Sequence, residues 1–158
     1  MAYHLNIIRQ EYGRRILLHD LRQDYAAGRI HGFLGENGVG KTTLFRCMAG
    51  RLSFEGEPMF SPETRVGFLP AELYMYPMIT GREFLQFYVT ALLTEYRRRG
   101  QTVFVASHDL DHLLSYADTL SWLRSGTMTC YPDRTAFEDV RQAIRREAAE
   151  RVEGADLL

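Results

Sequence analysis

Cysteine is scarce in this chain. Cys47 and Cys130 stand far apart with no CxxC pair, which argues against a disulfide framework or a zinc site and for a reducing, cytoplasmic setting. Charge of one sign is lacking as well. The net charge is -1, so no nucleic-acid partner is expected and nothing global draws the chain to an acidic membrane. No apolar run approaches the ~20 residues of a membrane span, and Met1 to Gln10 has no long apolar core of a secretory signal. A membrane process would be served from the side, through a partner. Internal repeats and low-complexity segments are also missing. What remains is an ordinary globular composition, 46% hydrophobic over 158 residues, which fits one domain with a sizeable core.

Strand and helix signals alternate along that length. Tyr3 to Arg9 is rich in strand formers, Tyr12-Gly13-Arg14-Arg15 reads as a turn, and Ile16 to Leu18 as the returning strand of an antiparallel hairpin. Arg29 to Leu34 is apolar and runs straight into a glycine-rich loop. A helix follows from Lys41, with Leu44, Phe45 and Met48 on one face and Gly50 as its stop. Arg65 to Leu69 reads as a short strand ended by Pro70. Thr80 to Glu83 is a capping box opening a helix whose inner stripe is Phe84, Phe87, Tyr88, Ala91 and Leu92. That helix is expected to end near Leu92 and Leu93. The run Arg97-Arg98-Arg99 is either a phosphate patch or a solvated helix end. Thr102 to Ala106 has a buried-strand pattern, and a helix begins at Asp109 with Leu110, Leu113, Leu114 and Ala117 inward. A second capping box, Thr135 to Glu138, opens a last helix with Phe137, Val140 and Ile144 inward, and the charged tail from Arg145 is expected to fray. The alternation implies an α/β fold with a mostly parallel sheet flanked by helices and an N-terminal antiparallel piece. Ligands of such sheets sit at the carboxyl ends of the strands. Gly35 to Thr43 and Ser107-His108 both follow strands and are expected to meet there.

The sharpest chemical signal is Gly35-Glu36-Asn37-Gly38-Val39-Gly40-Lys41-Thr42, which matches the P-loop pattern GxxxxGK[ST]. Its glycines allow backbone angles that turn successive N–H groups toward one anion. The helix starting near Lys41 adds the positive end of its dipole. Lys41 then reaches the β- and γ-phosphates, and the Thr42 hydroxyl is placed to ligand Mg²⁺. The required context, a strand before and a helix after, is present. Asn37, Gly38, Val39, Gly40, Lys41, Thr42 and Thr43 are therefore the candidate ATP-binding residues.

The flanks sharpen the match. Gly32 to Leu44 resembles the Walker A segment of ABC transporter ATPases, the ATP-binding cassette proteins. Tyr12 stands where that family's A-loop aromatic stacks on adenine; its plain alternative is a turn aromatic. Val66-Gly67-Phe68-Leu69-Pro70, Tyr76-Pro77 and Thr80 to Leu85 resemble the Q-loop region and the helix after it. Ser107-His108-Asp109-Leu110 is similar to the H-loop. The resemblance makes His108 the catalytic candidate at the γ-phosphate, against the plain reading of a helix-start histidine satisfied by local backbone. Ala117-Asp118 and the stretch Leu123 to Met128 with Gly126 continue the match, which covers Leu5 to about Met128. It implies a P-loop NTPase fold, ATP and Mg²⁺ as ligands, a transmembrane permease and a second cassette as partners, and a cytoplasmic place at the inner face of the membrane. His19, His31 and His112 lack any such context and read as structural.

Two departures stand against that pattern. Ala71 occupies the position of the Q-loop glutamine and offers no polar atom; Glu72 next to it is the possible substitute. Beyond the helix of Phe84 to Leu92 the family has several dozen further residues, including the LSGGQ signature, a Walker B strand ending in Asp-Glu and the D-loop. None is present here, and the helical subdomain is expected to be largely absent. The chain reads as a single domain over 1–158 with its middle removed near Ala91–Thr94. Between Phe87 and Asp109 the only carboxylate is Glu95. The two functional readings are an ATP-binding subunit driving a permease and a non-catalytic nucleotide-binding module. A GTPase would need an Asn-Lys-x-Asp motif, which the chain lacks.

Overall fold

The computed structural model describes residues 2–67 and 81–155, with the backbone alone at 81–89 and 150–155. The chain opens with β1 (Ala2–Tyr12) and β2 (Arg15–Ala26), an antiparallel hairpin far longer than the short strands expected. Gly13, at a φ of 65°, makes the turn that costs other residues strain. A third strand unforeseen in the sequence, β4 (Glu55–Glu57), pairs with β1 on its other side. Its three residues are all exposed, so no apolar period marks it. This sheet has the order β2-β1-β4.

The second sheet carries the site. It contains β3 (Ile30–Leu34), β5 (Val103–Ser107), β6 (Thr119–Arg124) and β7 (Thr127–Tyr131) in the order β5-β3-β6-β7. β3 runs parallel to both neighbours, and only the β6–β7 hairpin is antiparallel. The mostly parallel core sheet is therefore present, but the antiparallel N-terminal sheet is nearly as large. The strands alternate with period 2. Phe33 and Leu123 face a core shared with Leu5, Ile7, Leu18, Leu21 and Tyr25 of the hairpin and with Leu44, Cys47 and Met48. Ile30, Leu34, Leu120 and Trp122 face the opposite core, covered by helices.

Those helices are α2 (Gly81–Arg98), α3 (Leu110–Tyr116) and α4 (Phe137–Ala155), with α1 (Lys41–Met48) on the other side. α3 sits close on the sheet: a Cβ at Gly32 would lie 3.1 Å from Leu120, 3.2 Å from Ala117 and 3.3 Å from Leu113. α1 stops as expected at Gly50, whose φ is 67° and whose N–H donates to the Cys47 carbonyl. No described helix is long and apolar enough to cross a membrane.

Four expectations need correction. The helix expected to end near Leu92 and Leu93 continues to Arg98. Leu, Ala, Glu and Arg fill its last turns, Glu95 bonds both Arg98 and Arg99, and no glycine intervenes before Gly100. One unbroken helix thus spans the place where the family resemblance loses its middle. In the run Arg97-Arg98-Arg99 the first two residues end this helix and Arg99 follows in a turn, with Arg97 bridged to Asp118 at 3.2 Å. Next, the Thr135 hydroxyl does not cap the last helix. It donates to the Asp133 carboxylate, a charged and stronger acceptor, and a short 3-10 turn at Arg134–Ala136 leads into α4. The tail from Arg145 continues the helix to Ala155, and Glu147 bonds Arg124 at 3.1 Å. Lastly, Arg65, Val66 and Gly67 are not strand. The remainder of that expected strand, Ala71, Glu72, Tyr76-Pro77 and Thr80 lie outside the described residues.

Candidate functional site

The glycine-rich loop leaves β3 at the carboxyl end of the sheet. β3 is buried over its whole length, so the loop starts from a fixed base. Gly35 is buried too. A Cβ there would lie 2.7 Å from Val39 Cγ1 and 3.0 Å from the Leu123 carbonyl, and its N–H donates to the Ser107 carbonyl at 3.3 Å. Only glycine fits this position. The Val39 N–H closes a turn onto the Glu36 carbonyl at 3.3 Å. Gly38 and Gly40 have φ of 81° and 111°, in the region that other residues avoid. The sequence rule for these two glycines thus has its physical cause in this loop.

α1 begins directly after Gly40. No side chain caps its N-terminus and no acidic residue stands in its first turn. The N–H groups there keep their positive end turned outward, an arrangement suited to an anion. The Lys41 ammonium folds back along the loop and donates to the carbonyls of Gly35 and Glu36, at 2.9 Å for the latter. Partial burial lowers its pKa below the ordinary lysine value. Asn37, Gly38 and Thr42 are exposed, while Val39, Gly40, Lys41 and Thr43 are half-buried.

His108 follows β5 immediately and is exposed. Because Leu34 pairs with Ser107 in the sheet, His108 emerges beside the start of the loop. The capping of α3 falls to its neighbours: Asp109 accepts from the His112 N–H at 3.1 Å, and the Ser107 hydroxyl accepts from the Asp109 N–H at 3.0 Å. His108 is therefore not spent on local backbone. Together with Leu34, Gly35, Glu36, Trp122 and Arg124 it borders a cleft of about 530 Å³. Sequence reasoning missed the β6 side of this cleft. Its available signal was Trp122, the chain's only tryptophan.

Tyr12 lies at the tip of the β1–β2 hairpin, paired with Arg15 and 80% exposed. β2 passes against the loop three residues later: a Cβ at Gly40 would lie 3.3 Å from Leu18 Cδ2. At ~3.3 Å per residue, the Tyr12 tip is about 10 Å along the strand from that contact. The exposed ring and the phosphate loop therefore belong to the same end of the molecule, separated by the order of a nucleoside's length.

Other titratable groups divide clearly. His31 is fully buried between the Thr119 hydroxyl at 2.8 Å and the Ala26 carbonyl at 2.9 Å, stacked on Phe104. It is structural, as expected. Glu95 is engaged by both Arg98 and Arg99, which hold its carboxyl down to about 2. Among the described residues no three His, Cys, Asp or Glu side chains gather as a metal cluster.

Comparisons with known proteins extend this geometry. The family model described as ABC transporter matches residues 18–155. A stretch of 71 residues is 42% identical to the energy-dependent translational throttle protein EttA of Haemophilus influenzae, covering 44% of this chain and 13% of that protein. Over 102 residues the chain is 32% identical to the sulfate/thiosulfate import ATP-binding protein CysA of Yersinia pestis, covering 58% of this chain and 28% of the relative. The matched segments are thus a small part of either relative. Among solved structures, the ADP conformation of MJ1267, an ATP-binding cassette of an ABC transporter, superposes with a TM-score of 0.69 at 13% identity, over 89% of this chain and 94% of that one. At that identity the likeness speaks for the fold alone.

Proposed function

The chain belongs to the ABC transporter family, and from that premise we propose that it binds Mg-ATP on the loop Gly35 to Thr43 and serves as the ATP-binding part of a transporter. The observation that carries this is the loop itself: two glycines at positive φ, an uncapped helix start and one lysine folded along the backbone. Lys41 neutralises the β- and γ-phosphates, Thr42 is the Mg²⁺ ligand, and Tyr12 stacks on adenine. His108, beside the loop, steadies the γ-phosphate. Hydrogen bonds from fixed donors to phosphate oxygens are the main resource of such a site. A single domain over 1–158 provides it.

The partners follow from the same premise. The protein acts at the inner face of a membrane on a transmembrane permease, beside a second cassette. Relatives named for sulfate import and for throttling translation share parts of this segment. The name of the former supports ATP binding by this segment.

One observation favours a second reading, a nucleotide-binding module with little turnover. Glu95, the only carboxylate between Phe87 and Asp109, is held by Arg98 at the end of α2 and by Arg99 just after it. Both readings share ATP binding, which calorimetric titration tests. Wild type should bind Mg-ATP, and Lys41→Ala should weaken it by about 2–3 kcal/mol, the worth of a charge-assisted hydrogen bond. Equal affinities would remove the P-loop assignment.

A further inference from the structure

The edge strand of the core sheet is built like a central one. β5 reads Val103-Phe104-Val105-Ala106-Ser107 and stands at the end of the order β5-β3-β6-β7 among the described residues. Strands covered on both faces in parallel sheets are near-continuous apolar runs. Edge strands are normally blunted by a charge, a proline or a bulge. β5 has none of these. Phe104 faces the core of Tyr25 and Phe33, while Val103 and Val105 face the helices. Both faces are used, and no strand among the described residues pairs with the outer edge.

Its hydrogen-bonding groups can be assigned residue by residue. Val103 donates to the Arg29 carbonyl and Ser107 accepts from the Gly35 N–H, so the odd-numbered residues turn their backbone toward β3. Direction alternates along a strand. Phe104 and Ala106 therefore turn N–H and C=O outward, and Ala106 is exposed. Two donors and two acceptors stand in a row on an uncharged edge.

We infer that this edge is a docking surface for a second copy of the chain, the two β5 strands pairing antiparallel about Val105. In that register Phe104 faces the partner's Ala106 and exchanges both hydrogen bonds with it, and the two-fold axis repeats the pair. The same register sets Thr102 opposite the partner's His108 and Gln101 opposite the partner's Asp109, so no like charges meet. A second copy satisfies all four outward groups with the sequence already present. The result is a continuous eight-stranded sheet. This contact is separate from the second cassette proposed above: it needs no ATP and survives Lys41→Ala.

Light scattering over a concentration series of the 158-residue chain tests it, combined with amide exchange read at single residues. Without nucleotide, the mass should rise to twice the monomer with concentration, equally for wild type and Lys41→Ala. The Phe104 and Ala106 amides should slow by about tenfold or more between dilute and concentrated samples, while Val103 and Val105 stay slow throughout. Ala106→Pro removes one outward donor and leaves the β3 ladder intact. With its Trp122 fluorescence unchanged, that variant should stay monomeric. If it fails to fold, the alternating exchange pattern of wild type decides alone. A chain monomeric at every concentration, a dimer that forms only with ATP, or a dimer whose Phe104 and Ala106 amides remain fast overturns the inference.

Discussion

The side chain of Lys41 turns back on its own loop, its ammonium 2.9 Å from the Glu36 carbonyl oxygen. It is also the only lysine in the chain. An amine-selective acylating reagent should therefore label Lys41 and the N-terminus alone. Phosphates that take the ammonium from the carbonyls should block the first and spare the second. With Mg-ATP at a hundred times its Kd, labelling of Lys41 should slow by up to roughly a hundredfold. Peptide mass spectrometry reads both positions, and a Lys41 rate unmoved by Mg-ATP would contradict the assignment.

Tyr12 sits at the hairpin tip with most of its ring exposed. An aromatic platform offers area to the base and little discrimination between bases. Tyr12→Trp should then retain ATP affinity, while Tyr12→Ala should lose about 1–2 kcal/mol. GTP should bind within about tenfold of ATP. Wild-type affinity in Tyr12→Ala would rule stacking out.

The P-loop was legible in the sequence because its chemistry is local. Gly38 and Gly40 are needed for their own backbone angles, and the pattern of residue types states that directly. The hairpin, β3, the start of α1 and the strand before His108 were legible from apolar period and turn residues. What escaped depends on distant partners. β4 has no apolar face and exists because Asn6 and Arg9 of β1 pair with it. The capping box at Thr135 lost to an aspartate two residues upstream, a contest between acceptors that spacing rules do not rank. The continuous α2 was hidden by the family resemblance itself, which suggested a break where the local helix formers Leu92 to Arg98 made none.

Gly126 shows how closely the β6–β7 turn approaches the hairpin. A Cβ there would lie 2.8 Å from the Leu17 carbonyl oxygen, whereas one at Gly38 would meet nothing within 4 Å. Both glycines have a φ of 81°, so alanine costs each the same backbone strain, about 1 kcal/mol. The crowding at Gly126 adds about 1–3 kcal/mol. Urea unfolding of Gly126→Ala and Gly38→Ala should separate them by that amount, and equal losses would mean that the turn moves aside freely.

His31 makes stability depend on pH. Burial lowers its pKa below the ordinary value near 6.5, outweighing the Ala26 carbonyl and the Asp118 carboxylate, which raise it. The unfolded chain therefore takes up the proton first. Stability should be complete above about pH 6.5 and fall as the pH drops from there toward the folded pKa. Thermal melts between pH 7.5 and 5 should show that slope in wild type and a shallower one in His31→Gln. Parallel slopes would assign the dependence to other groups.

Turnover is where this chain should fall short of its family. Activating a water near the γ-phosphate needs a carboxylate with its lone pairs free. Glu95 has given them to Arg98 and Arg99, which hold its carboxyl down to about 2. Such a group is a poor base even if it were near the loop. His108, beside the loop, can stabilise charge on the phosphate but has no partner carboxylate after it except Asp109, which caps α3. Loss of a positioned base typically costs about 10²–10⁴-fold in rate. Phosphate release by the purified chain should therefore be slow, abolished in Lys41→Ala and unchanged in Glu95→Gln. Release near one per second, a rate ordinary for an enzyme, would mean that a carboxylate other than Glu95 serves as the base, and Glu72→Gln is the first variant to test for it.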